Sequence, residues 1–219
     1  MCIRDRASGN GVSCTVGDFD NDGLPDVAVA MSDRVLLFKN SGGGKFTDVT
    51  TASGVQPANH PAGITFVDYD HDGDLDLFVT GRPSAPGSKP NVLWRNNGNG
   101  TFTNWTEQAG LGGDGTTVAA TLSDLNNDRA VDLLVTGSGP APTFFANPRE
   151  GLFKSSPLFA AEGLPPTVGA VAVSYTHLDV YKRQVRDSPD QGAHWFVPGT
   201  SLRKSQPKLA ENGPPGLTA

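Results

Sequence analysis

Three stretches carry oxygen-rich side chains at alternating positions: Asp18-Phe-Asp20-Asn-Asp22-Gly23-Leu24-Pro-Asp26, Asp68-Tyr-Asp70-His-Asp72-Gly73-Asp74-Leu-Asp76, and Asp124-Leu-Asn126-Asn-Asp128-Arg129-Ala130-Val-Asp132. In a curled loop, positions 1, 3 and 5 can turn their oxygens inward together. Position 7 can add an oxygen (through the carbonyl of Leu24, Asp74 or Ala130), and the Asp at position 9 closes the set. Hard cations that take about 6–8 oxygens at about 2.3–2.6 Å suit such a loop, which favours calcium over magnesium or zinc. The candidate ligands are therefore Asp18, Asp20, Asp22, Leu24 and Asp26; Asp68, Asp70, Asp72, Asp74 and Asp76; and Asp124, Asn126, Asp128, Ala130 and Asp132.

The first five positions also fit an EF-hand, which needs a bidentate Glu at position 12. Val29, Val79 and Val135 stand there instead, inside apolar runs without helical periodicity, so an EF-hand is excluded. Asp and Asn also form turns without any metal. Three loops in register argue against that alone, because crowded carboxylates repel unless a cation neutralises them. The third loop departs most: Asn126 replaces a carboxylate, and Arg129 replaces the Gly of the sharp turn and brings a rival cation. Two calcium ions are expected, with the third site open.

The elements that must hold these loops repeat with them. Asp18, Asp68 and Asp124 stand 50 and 56 residues apart, each after a run of apolar or small residues (Val12–Val16, Ile64–Val67, Val118–Leu122). Position 9 opens a hydrophobic stretch in each copy. Beyond it, Asn40, Asn96 and Asn147 each precede a Phe by six residues (Phe46, Phe102, Phe153), across glycines that mark a hairpin turn. Each copy thus offers four short strands in roughly 50 residues, the content of one propeller blade. The predicted fold is all-β: a partial β-propeller of about three four-stranded blades at 7–56, 57–112 and 113–165, with a fourth starting at 166–173, forming an open wedge. The longer second spacing comes from Arg82–Pro90, a Pro/Ser/Gly insertion expected in a surface loop.

Of the 23 acidic residues, twelve fall in the three loops, so three divalent cations would cancel the formal charge of −6. No basic stripe exists to hold phosphates, which excludes nucleic acid as a partner. No apolar run approaches the ~20 residues of a membrane span. Two cysteines define no disulfide framework, and bound metal would serve as the staple instead. Cys14, within a strand, is expected to be a buried small apolar residue. Catalytic candidates are few: His71 sits at loop position 4, His60 precedes Pro61, and His177 and His194 lie in a divergent tail. The chain is expected not to be an enzyme. Phe38, Trp94 and Phe145 occupy equivalent strand positions, which favours blade packing over sugar stacking. Asn99-Gly-Thr101 and Asn104-Trp-Thr106 are glycosylation sequons that matter only in a eukaryotic host.

The loops joined to the Asn-x-Gly-x-Gly-x-Phe turn resemble FG-GAP or VCBS repeats, the units of integrin α-chain-type propellers. The string Leu93-Trp-Arg-Asn-Asn-Gly-Asn-Gly-Thr-Phe-Thr-Asn-Trp-Thr-Glu-Gln-Ala-Gly-Leu111 is similar to the cartilage acidic protein branch, whose bacterial members often carry an ASPIC/UnbV domain; no such segment is recognisable here. The resemblance implies a secreted or surface-exposed adhesion or ligand-binding module with structural calcium, taking a protein or carbohydrate ligand, at an extracellular, periplasmic or cell-surface location. Its rival is the non-catalytic propeller portion of a secreted polysaccharide-degrading enzyme. Residues 1–6 and 174–184 resemble translated sequencing-adapter strings, and 185–219, with five prolines, reads as a non-native tail. An export signal and further blades are expected outside the sequence.

Overall fold

A computed structural model describes residues 10–56, 59–125, 128–138, 142–149 and 151–157, together with short strands at 172–174, 186–187 and 193–195. The first sheet runs β1 (Gly11–Gly17), β2 (Asp26–Met31), β3 (Val35–Asn40) and β4 (Phe46–Asp48), antiparallel and in chain order. The one-turn helix α1 (Thr50–Ser53) follows it. The second sheet repeats the plan with β5 (Asn59–Val67), β6 (Asp76–Pro83), β7 (Val92–Asn96) and β8 (Phe102–Asn104), then α2 (Thr106–Ala109). The third contains β9 (Thr117–Ser123), β10 (Asp132–Gly137), β11 (Thr143–Ala146) and β12 (Lys154–Pro157). The innermost strands lie side by side, β1 against β5 and β5 against β9, so the sheets stand as successive propeller blades around one axis. No closed ring forms among the described residues.

Alternation along each strand decides which neighbour a side chain meets. In β6, Leu77 and Val79 face the first blade, packed with Ala28, Ala30 and Leu37, while Phe78 faces the third with Leu133 and Val135. Both faces are covered, which is why Asp76-Leu-Phe-Val-Thr-Gly reads as a continuous run and is buried throughout. Trp94 and Phe145 are likewise buried between sheets, and Phe38 is buried against Met31 and Leu36 of its own sheet, so these rings are not offered to a ligand.

The one-turn helices have no counterpart in the sequence reading. Each ends on a left-handed glycine, Gly54 (φ 79°) or Gly110 (φ 70°), where a Cβ would strain the backbone. At the insertion, β6 absorbs Arg82 and Pro83, and residues 84–89 are mostly exposed surface. Cys14 corrects an expectation: it is exposed, not buried. On β1, Thr15 accepts a hydrogen bond from the Phe66 backbone N–H (3.3 Å), whereas Val12, Cys14 and Val16 alternate on the other face, away from β5. Nothing among the described residues covers that face, and Val12 and Val16 are 47% and 63% exposed.

Most of 158–219, including 166–171 of the expected fourth repeat and most of the divergent tail, lies outside the described residues, as does 1–6. The short strands β13 (Ala172–Ser174), β14 (Arg186–Asp187) and β15 (Ala193–Trp195) form a three-stranded sheet in the order β13-β15-β14, with β13 beside β9.

Candidate metal centre

Each acidic loop joins the innermost strand of a blade to the next strand, and its own carboxylates shape it. In the first loop the Asp18 oxygens accept from the backbone N–H groups of Asp22 (3.1 Å) and Gly23 (2.8 Å), and Asp22 Oδ1 accepts from Leu24 N–H (2.9 Å). The third loop repeats this: Asp124 accepts from Asp128 (2.9 Å) and Arg129 (2.8 Å), and Asp128 from Ala130 (2.8 Å). In the second, Asp72 Oδ1 accepts from Asp74 N–H (2.9 Å). The turn at position 6 is left-handed in all three, with φ of 83° at Gly23, 91° at Gly73 and 69° at Arg129.

Arg129 therefore adopts a conformation that costs a side-chain-bearing residue about 1–2 kcal/mol. Arg149, at the hairpin position of Gly42 and Gly98, does the same at φ 67°. Arg129→Gly is expected to stabilise the protein by about 1 kcal/mol in urea unfolding, even without metal. A neutral or destabilising result would show that the guanidinium makes a compensating contact.

Position 9 behaves differently from the other carboxylates. Asp26, Asp76 and Asp132 are almost wholly buried, and each joins two elements. One oxygen accepts from the N–H of loop position 2: Phe19 (3.1 Å), Tyr69 (3.1 Å) or Leu125 (2.8 Å). The other accepts from the N–H of the hairpin Asn: Asn40 (2.7 Å), Asn96 (2.8 Å) or Asn147 (2.8 Å). The sequence reading assigned this residue to the metal shell alone and missed its role as a staple. Burial raises the Asp26 carboxyl and pushes Asp76 up to about 8; the N–H groups of Asn96 and Tyr69 oppose the Asp76 shift, while Asp70 and Asp72 add to it. A cation among these carboxylates would relieve that penalty.

The hairpin asparagines, read from sequence only as turn residues, clamp successive blades together. Asn96 Nδ2 donates to the Leu75 carbonyl (3.1 Å) and, across the blade boundary, to the Phe19 carbonyl (2.7 Å). Asn147 Nδ2 repeats both bonds, to Val131 (3.1 Å) and to Tyr69 (2.8 Å). Their Oδ1 atoms accept from Gly98 (3.0 Å) and Arg149 (2.8 Å). Identical spacing in three copies was the available signal. The position-2 rings wedge into the same boundaries, Phe19 against Phe66 and Phe102, and Tyr69 against Phe153.

Of the candidate ligands, Asp18, Asp20 and Asp22 each bring one oxygen within 4.8 Å of the others, and so do Asp68, Asp70 and Asp76. Asp72 turns toward Arg95 (3.5 Å), and Asp74 accepts from Asn21 Nδ2 of the preceding loop (2.7 Å). Asn126 lies outside the described residues. The Oδ1 atoms of Asp20, Asp68 and Asp70 are buried and have no hydrogen-bond partner. A buried anionic oxygen without a partner is costly, and a divalent cation would satisfy it. The residues present thus fit a hard cation in the first two loops, held by Asp18, Asp20 and Asp22 and by Asp68, Asp70 and Asp76. His71 is an exposed loop residue at φ 61°.

Three four-stranded sheets stacked through their faces, each with an acidic loop beside its innermost strand, define a β-propeller built from repeats. The chain belongs to the FG-GAP-like repeat family, which matches residues 7–79 and 84–135. No curated protein matches it. Among solved structures it is similar to a lectin from Agrocybe aegerita described as recognising non-reducing terminal N-acetylglucosamine, at 16% identity and a TM-score of 0.47. That alignment covers 76% of this chain but only 44% of the lectin, so the chain spans less than half of that protein. Among the described residues, no helix is long and apolar enough to cross a membrane.

Proposed function

We propose that this chain is a calcium-stabilised propeller segment that serves as an extracytoplasmic binding module for a protein or carbohydrate ligand, with no catalytic role. The observation that carries the calcium reading is the set of buried, unpartnered carboxylate oxygens in the first two loops. Calcium in this reading is structural: it neutralises carboxylates that otherwise repel and ties each loop to its blade. Loops of this kind in extracellular modules bind with dissociation constants of ~10⁻⁴–10⁻³ M, a range suited to the calcium available outside the cytoplasm.

Melting curves in chelator and in millimolar calcium test the reading. At a tenfold excess over the dissociation constant, each site adds about 1.4 kcal/mol of stability. The melting temperature is expected to rise accordingly, and identical curves would overturn the assignment. Asp22→Ala is expected to lower the calcium stoichiometry by one, whereas Asp128→Ala leaves it unchanged if only the first two loops bind. A larger loss at Asp128 than at Asp22 would reverse that ranking.

A further inference from the structure

One residue before the hairpin Asn, the first two blades place a basic side chain whose charge ends at the acidic loop. Lys39 Nζ pairs with Asp20 Oδ2 and lies 3.1 Å from Asp22 Oδ2. Arg95 repeats the arrangement one blade on, with Nε 2.9 Å from Asp70 Oδ2 and Nη2 3.5 Å from Asp72 Oδ2. Its guanidinium also lies 5.5 Å from the centre of the Trp105 ring, which steadies it. In both loops the basic group takes Oδ2 of the position-3 Asp, and Oδ1 of that same carboxylate is the buried atom without a partner. Lysine or arginine therefore stands on one oxygen of the carboxylate and leaves the other without a partner. In the third blade Ala146 occupies the equivalent position, and Arg149 instead donates to the Asp128 carbonyl (2.5 Å).

We infer that Lys39 and Arg95 are built-in counter-charges that hold the first two loops together without metal and keep their calcium affinity low. The inference rests on the calcium reading above. A fixed cation sharing a carboxylate with a divalent ion repels that ion, while it relieves carboxylate repulsion when the ion is absent. The basic residue thus sets how much calcium each loop requires, and removing its charge should tighten binding. A residue needed only to shape the loop would give the opposite sign, since its loss would weaken binding.

The full chain is titrated with calcium by competition against a fluorescent chelator, and its melting temperature is measured in chelator alone. Lys39→Gln and Arg95→Gln are each expected to tighten one site about fivefold and to lower the metal-free melting temperature. Lys39→Arg and Arg95→Lys keep the charge and are expected to stay within about twofold of the parent. Lys39→Met and Arg95→Met retain an apolar stem, and they decide the matter if a Gln variant fails to fold. Weaker or unchanged binding in the neutral variants, with the parent binding calcium, would overturn the inference and leave the calcium reading standing. A parent that binds no calcium would overturn that reading, and this inference with it.

Discussion

Asp76→Ala is expected to lower the unfolding free energy by about 4 kcal/mol, the largest effect of any single substitution considered for this protein. The side chain is 1% exposed, and its two oxygens accept the backbone N–H groups of Tyr69 and Asn96. Removing the carboxylate strands both donors in a dry interior, at about 1–3 kcal/mol each. It also frees the β7 end from the acidic loop, so the Asn96 clamp loses its support. Against a total of about 5–15 kcal/mol for an ordinary domain, such a loss removes much of the stability. Urea unfolding with tryptophan fluorescence would report it, since Trp94 is buried within the same blade. A loss under about 1 kcal/mol would mean that water replaces the carboxylate and that the staple carries little of the fold.

Asn96→Ala is expected to cost about 3 kcal/mol, because three hydrogen bonds from one side chain disappear together: to Phe19, to Leu75 and from Gly98. Each net contribution is about 1 kcal/mol. Asn40→Ala supplies the internal comparison. Asn40 makes the corresponding bonds to Pro25 (3.0 Å) and from Gly42 (2.9 Å), both within its own blade. Its replacement should cost about 1 kcal/mol less, and that difference measures the bond between blades. Equal losses at the two positions would show that the Phe19 bond adds nothing and that apolar packing alone holds the first two blades together.

The proposed calcium binding bears on the same two substitutions. Asp76 belongs to the oxygen cluster of the second loop, so Asp76→Ala should also shrink the calcium-dependent rise in melting temperature. Asn96→Ala leaves every loop carboxylate in place and should preserve that rise. The pair therefore separates the clamp between blades from the metal site, whereas the staple and the metal site share one carboxylate in the second blade.

The blade plan follows from local chemistry. Four strands per repeat, the loop at Asp18, Asp68 and Asp124, and the hairpin at Asn40, Asn96 and Asn147 are all local features. Turn chemistry and period-2 alternation act between residues a few positions apart, so a single chain displays them. The first two loops were legible as candidate cation sites for the same reason. Contacts between repeats depend instead on how the blades pack. Asn96 meets the Phe19 carbonyl across 77 residues, and Asn147 meets the Tyr69 carbonyl across 78, and no local pattern names those partners. The division of labour among the carboxylates was equally hidden, because identical Asp residues become turn former, staple or cation candidate according to which donors the neighbouring strands deliver. Cys14 shows the same limit: alternation assigns it to one face of β1, but whether that face is buried depends on what stands against it. Local chemistry writes the blade, and packing between blades decides what each of its polar atoms is for.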